Sequence, residues 1–370
     1  MHVKGKNMKK ALFAFASVLL SISSSVHAFE SAPSLIFVGS TYSGHEEITR
    51  QALKNISKKI KEIDSGSTLF ELDDLKFDLA PEAKGLFGYK SKNMVIHGNF
   101  SSDFPKQTSV MSLGDFWNIK NFSEFENPDT QMLHFLKNYT NSITLASARS
   151  TCEQARAAIK KVTTEALKSW NSNNKTRALF LLGHATHTIQ DSFSRAHTQR
   201  AGDENNNDLI NICYYGSVMN KKMDHTRRGP KDLCFHSSPD SKDAVWNLSG
   251  DQYKKALSNW ASEAASQCDK GSDYPQTDEQ KSACLSDEAR LARVATEKYL
   301  FLVFNQIAPQ NLLNKSTEDF VAALDSSLFD GPVGDAELDR KMPNGILRCD
   351  SLPTNEITGS EPPAQGKIGQ

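Results

Sequence analysis

Apolar residues along much of the chain recur every three or four positions, the spacing of a helix with one buried face. Ile48, Ala52, Leu53, Ile56, Ile60 and Ile63 form one such stripe opposite Lys54, Lys58 and Lys59, predicting a helix over 48–63. Comparable patterns predict helices over 130–144, 152–170, 176–193, 252–267 and 286–307. The last of these has a clear start. Ser286 suits the N-cap, and Asp287 and Glu288 place negative charge on the first turn, where exposed helix amides favour it. Residues 64–128 show few clean periods, and 199–241 form a long polar insertion interrupted at 205–207, 227–230 and 237–239. The sequence holds no alternating strand series, internal repeat or Gly-rich phosphate loop. From Gly331 onward, Pro332, Pro343, Pro353, Pro362 and Pro363 among polar residues read mostly as an extended or disordered tail. The expected fold is mainly α, a single helical bundle with long loops and a poorly structured C-terminal tail.

The first 28 residues follow a different rule. Lys9 and Lys10 precede a short apolar run at 11–22, and Val26-His27-Ala28 has the small-residue form of a signal-peptidase site. The expectation is an exported chain, extracellular or periplasmic, whose mature part begins near Phe29. The apolar run is too short for a membrane anchor. This segment also changes the charge picture. The whole chain has 43 basic and 44 acidic residues, but Lys4, Lys6, Lys9 and Lys10 all fall before the cut, leaving a charge of −5 after it. A mildly acidic surface binds phosphate backbones poorly, so a stable nucleic-acid partner is not expected. A nucleic acid could still be a cleaved substrate.

Six cysteines, all after residue 28, agree with export, because an even number in an exported chain suggests disulfides. Cys213/Cys234 and Cys268/Cys284 are local pairings across polar loops, which leaves Cys152/Cys349. No CxxC pair is present, which argues against a thiolate zinc site.

The histidines carry the candidate chemistry. His184, His187 and His197 fall within fourteen residues, and Asp191 lies one helical turn after His187. Imidazole and carboxylate at that spacing project from one helix face and can grip one divalent cation, with a second carboxylate oxygen left to bridge to another. His184 shares the face and suits a supporting or core role better than a ligand role.

The string His187-Thr188-Ile189-Gln190-Asp191, preceded by Leu182-Gly183 and followed by His197, resembles the core motif of the zinc-dependent phospholipase C superfamily. It is most similar to the branch of bacterial secreted phospholipases C and fungal heterokaryon-incompatibility proteins. Single-strand-specific nucleases share the fold. Four further segments resemble the same family, in order. His45-Glu46-Glu47-Ile48-Thr49 resembles its opening, and Gly98-Asn99-Phe100-Ser101-Ser102-Asp103 its Gly-Asn segment. His134-Phe135 resembles its His-Phe-Asp motif, with Leu136 in place of the Asp. His236 with Asp240 resembles the closing ligand pair, and His225 competes with His236 for that place.

The resemblance implies a catalytic domain over 29–310, a C-terminal extension over 311–370 that is partly disordered, and two to three Zn²⁺ ions. One ion would be held by Asp103, His134, His187 and Asp191, and one by His197, His236 and Asp240. A third would be held by His45, a bridging Asp191 and the amine of Phe29. These donors are nitrogen and oxygen only, a set that suits zinc and other divalent metals. The implied activity is phosphodiester hydrolysis of glycerophospholipids of phosphatidylcholine type at a membrane surface, by a monomer, with water activated by the metals and Asp103 as proton acceptor. The alternative on the same scaffold is a secreted single-strand-specific nuclease or 3′-nucleotidase.

Overall fold

The computed structural model describes residues 44–76, 82–83, 89–90, 92–103, 132–137, 144–194, 197–201, 207–212, 287–307, 315–355 and 357–358. Seven α-helices lie among them: α1 (Gly44–Ile63), α2 (Met94–Asp103), α3 (Ala148–Asn171), α4 (Lys175–Asp191), α5 (Asp287–Ile307), α6 (Thr317–Leu324) and α7 (Ala336–Lys341). Strand content is slight. Three two-stranded antiparallel pairs join β1 (Glu82–Ala83) to β2 (Tyr89–Lys90), β3 (Thr144–Leu145) to β6 (Ile357–Thr358), and β4 (Thr198–Arg200) to β5 (Leu209–Ile212). The described protein is mainly α. None of its helices is long and apolar enough to cross a membrane.

Helices α3 and α4 each start on a side-chain cap. The Ser147 hydroxyl accepts the Ser150 amide to open α3, and the Asn174 carbonyl accepts the Arg177 amide to open α4. Along α3, Cys152, Ala155, Ile159, Thr163, Ala166 and Leu167 repeat at helical spacing and turn one face to the core. α4 behaves differently. Its last turns, from Ala185 to Asp191, are buried on every side. It packs against α2, α3 and α5, while α1 lies against α5 and α2. The Tyr299 hydroxyl meets Thr163 Oγ1 at 2.7 Å to tie α5 to α3, and Asn55 Nδ2 donates to Glu297 Oε1 at 2.6 Å to tie α1 to α5.

The α2–α4 crossing depends on two glycines. A Cβ on Gly98 would fall inside the Phe180 carbonyl, and one on Gly183 would overlap the Val95 carbonyl and the Asn99 amide. With hydrogens in both places the two backbones touch, which brings Asn99 against the polar end of α4.

Two expectations need correction. The predicted helix over 130–144 is absent from its described part. Met132–His134 is a single 3-10 turn, Phe135 takes a left-handed φ of 52°, and Thr144 and Leu145 are in β3. Tertiary bonds take the carbonyls that a continuing helix would need: Thr188 Oγ1 donates to the Leu133 carbonyl at 2.7 Å, and His197 Nδ1 donates to that of His134. Helix α2 lies in the stretch that showed few periods. Its residues are buried on most sides, so no amphipathic stripe marks it.

The segment expected as an extended tail from Gly331 is packed as far as Leu352. Phe320, Leu324, Leu328, Phe329, Leu338, Met342, Ile346, Leu347 and Leu352 are buried, and Cys349 is bonded to Cys152. The Arg200 guanidinium stacks on Phe193 and donates to the Ser192, Asn207 and Ile346 carbonyls at 2.9, 3.0 and 3.1 Å. It therefore clasps the end of α4, the β4–β5 hairpin and the chain's last core segment together. Pro332 and Pro343 sit in irregular turns between buried apolar residues, and Pro353 follows buried Leu352. The expected signal peptide, the helix over 252–267, the two other disulfides and residues 359–370 lie outside the described residues.

The Cys152–Cys349 bond closes a separation of 197 residues. Cys349→Ser should lower unfolding free energy by about 2–5 kcal/mol, read from urea denaturation, because the cross-link restricts the unfolded chain. Gly183→Ala should cost about 1–3 kcal/mol or more, since neither backbone at the crossing can retreat without losing its packing.

Candidate metal centre

The site grows from the buried end of α4. His187 and Asp191 are both fully buried, four residues apart, with His187 Nε2 3.1 Å from Asp191 Oδ2. Three other elements bring imidazoles to the same carboxylate. From the start of α1, His45 Nε2 lies 3.1 Å from Oδ1. From the 3-10 turn, His134 Nδ1 lies 3.4 Å from Oδ2 and 3.2 Å from His187 Nε2. From the segment after α4, His197 Nε2 lies 3.9 Å from Oδ1. The rings crowd one another, with His45 and His187 centroids 4.2 Å apart and His134 and His187 edge to face at 5.1 Å.

Burial alone would raise the Asp191 pKa. When protonated, the His197, His187 and His45 imidazoles outweigh it and hold the carboxyl well below the usual carboxylate range, so positive charge beside Asp191 keeps it ionised. Yet neither of its oxygens receives a hydrogen bond. The surrounding nitrogens are near but not aligned as donors. Two of them are turned by their opposite sides. His197 Nδ1 donates to the His134 carbonyl and His45 Nδ1 faces Gln190 Oε1 at 2.7 Å, so in the neutral rings each Nε2 offers a lone pair to the carboxylate. Lone pairs converging on an anion repel unless a cation sits among them.

His134, His187 and Asp191 fit that requirement in size. Their donor atoms are separated by 3.1–3.4 Å, against an edge of ~3.4 Å for a tetrahedron with ~2.1 Å metal–ligand bonds. His45, His187 and Asp191 likewise offer donors within 4.8 Å of one another, all buried. This buried histidine–aspartate group could hold a metal ion.

The supporting residues come from the same motif. Thr188 holds the turn that carries His134, through the Leu133 carbonyl. Gln190 receives His45 on one side and donates to Thr49 and Thr296 on the other, at 2.8 and 3.2 Å. These three roles were not apparent from spacing alone, although Thr188 and Gln190 stand inside the motif that was singled out. The His184 side chain bonds to α2 instead. Its Nδ1 meets Ser102 Oγ at 2.7 Å and its ring packs on Phe180; Asp103 is the last residue of α2. His236 and Asp240, their competitor His225, and Phe29 lie outside the described residues. No family model, curated protein or solved structure matches the chain.

Burial depresses two imidazoles to about pKa 4: His184, helped by the neighbouring His187 and His134, and His197, despite the opposing pull of Asp191. Both protonate near 6.5 once unfolded. Their contribution to stability is therefore whole above about pH 6.5 and is lost as pH falls from there towards 4. Metal-stripped protein should show a urea midpoint that is flat at neutral pH and declines through this window. A midpoint independent of pH down to 4 would show that these rings are not buried neutral.

Proposed function

We propose that the protein is a zinc-dependent phosphodiester hydrolase of the phospholipase C type, acting on glycerophospholipids to give diacylglycerol and a phosphorylated head group. The observation that supports this most is the ionised, fully buried Asp191 facing nitrogens of His45, His134, His187 and His197, with no hydrogen bond to either oxygen. These are five of the eight residues that the family resemblance implies as ligands, drawn from segments more than 140 positions apart in sequence. The helical-bundle setting, with ligands on several helices, is also how such multi-metal sites are built.

In this reading His134, His187 and Asp191 would hold one ion with Asp103, and His45 would share Asp191 with a second. His197 would hold a third with His236 and Asp240. Zinc bound there lowers the pKa of water to near neutrality and offsets charge on the phosphoryl oxygens. The chain's own part is to fix the donors and keep the cluster dry. Asp191 sits at the centre with its two oxygens facing different imidazoles, Oδ1 towards His45 and His197 and Oδ2 towards His134 and His187. Asp103, the last residue of α2, would be the proton acceptor for the attacking water. The lipid substrate is favoured over nucleic acid by the wording of the motif and by the mildly acidic chain after residue 28, which gives little purchase to a long polyanion.

Phosphatidylcholine vesicles and single-stranded DNA, assayed side by side with and without chelator, test the reading. Lipid should be cleaved, chelator should stop it, and zinc should restore it. Cleavage of DNA alone would replace the lipase by a nuclease, and cleavage of neither would overturn the proposal. Asp191→Asn should lower kcat by more than about 100-fold and reduce metal content, a larger loss than the 10–100-fold typical of removing a partner that only supports a ligand.

A further inference from the structure

Gln190 touches neither Asp191 oxygen, yet it joins three helices to α4 at the cluster. Its oxygen faces two nitrogens, His45 Nδ1 at 2.7 Å and Asn99 Nδ2 at 3.3 Å. Its nitrogen faces two hydroxyls, Thr49 Oγ1 at 2.8 Å and Thr296 Oγ1 at 3.2 Å. All five side chains, and Thr186 beside them, are fully buried, so each polar hydrogen must find its acceptor within the protein.

The direction of every bond in this chain follows from one fixed point. The Gly183 carbonyl can only accept, so the Thr186 hydroxyl donates to it, at 2.7 Å. With its single hydrogen so used, Thr186 Oγ1 must accept, and the Asn99 group 3.2 Å away is therefore the NH₂. The second hydrogen of that NH₂ points at Gln190, which must present its oxygen. The two hydrogens on the Gln190 nitrogen then go to the Thr49 and Thr296 hydroxyl oxygens. An amide oxygen cannot donate, so His45 Nδ1 carries the hydrogen. The Nε2 of the neutral ring is left with a lone pair, 3.1 Å from Asp191 Oδ1.

We propose that Gln190 is a positioning residue for His45: oriented by Asn99 and Thr186, it fixes the imidazole in the Nδ1–H tautomer and aims Nε2 at Asp191. That this prepares His45 to bind a cation rests on the metal reading above; the tautomer itself does not. A backbone carbonyl of α4 thus dictates the state of a ring on α1 through two buried amides. A glutamine suits the task because it offers an acceptor at one end and two donors at the other, matching what each neighbour needs.

The test is two-bond ¹H–¹⁵N correlation NMR on the full chain with ¹⁵N-labelled histidine, stripped of metal, at a pH where the ring is neutral, with His45 assigned by its loss in His45→Asn. Wild type should show a protonated Nδ1 and an unprotonated Nε2. Gln190→Met, which removes the acceptor, should give mixed tautomers and weaken zinc chloride binding by about 10–100-fold at one site. Gln190→Glu, which keeps an oxygen facing His45, should restore the native tautomer. Asn99→Ala, a second variant should Gln190→Met fail to fold, should also give a mixture because the Gln190 amide can then turn over. A wild-type His45 protonated on Nε2 overturns the proposal, as does a Gln190→Met protein with native tautomer and zinc affinity. A wild-type protein with the expected tautomer that binds no zinc would sink the metal reading and leave the positioning role standing.

Discussion

A carboxylate that is ionised and wholly removed from water needs positive charge beside it. Leaving Asp191 without any would cost several kcal/mol, enough to matter to a fold whose net stability is of similar size. Four imidazole nitrogens stand around it, but a neutral imidazole carries no charge, and those of His45 and His197 are held with lone pairs inward by hydrogen bonds on their far sides. Two ways of supplying the charge remain. In acid, the rings themselves protonate. Near neutrality, a bound divalent ion does so far better, and metal binding and stability become one quantity.

The rest of the fold holds four loosely related pieces of chain against that carboxylate. α4 carries His187 and Asp191 and is buried on all sides where they sit. Gly98 and Gly183 allow α2 to approach until Asn99 reaches Gln190. The turn bearing His134 is fastened twice, by Thr188 to its Leu133 carbonyl and by His197 to its own, and Phe135 beside it pays in backbone conformation with a left-handed φ. At the far side, Arg200 and the Cys152–Cys349 bond bind the chain's last core segment to the end of α4 and to α3. The ends of the described protein thereby converge on the helix that carries the site.

How much of this was readable in the sequence depends on what each residue does. The stripe from Ile48 to Ile60 is buried while Lys58 and Lys59 opposite its second half are exposed, so its period survives in the sequence and α1 is visible. α2 is surrounded, and Gly98, Asn99 and Ser101 are chosen for close approach and hydrogen bonding, so its period vanishes; the side chain of Asn93 accepts from the Val95 and Ile96 amides at its start, a cap the sequence reading missed. Met132, Leu133, Phe135 and Leu136 look helical because they are apolar. Their carbonyls, however, are claimed by distant side chains, and no local pattern shows that. The packed stretch after Gly331 was hidden by its prolines, and the cap before it, Ser316 accepting the Asp319 amide, was missed. In the site, His187 and Asp191 meet through helix spacing alone, whereas the arrival of His45 and His134 at the same carboxylate was expected only from the family resemblance.

The central claim, that a metal ion sits among these imidazoles against Asp191, is most directly tested by crystals of zinc-loaded protein measured on both sides of the zinc absorption edge. The account predicts anomalous peaks about 2.1 Å from Asp191 oxygens and from the facing nitrogens of His45, His134 and His187. A map with no such peak, and Asp191 instead receiving hydrogen bonds from protonated imidazoles, would contradict it.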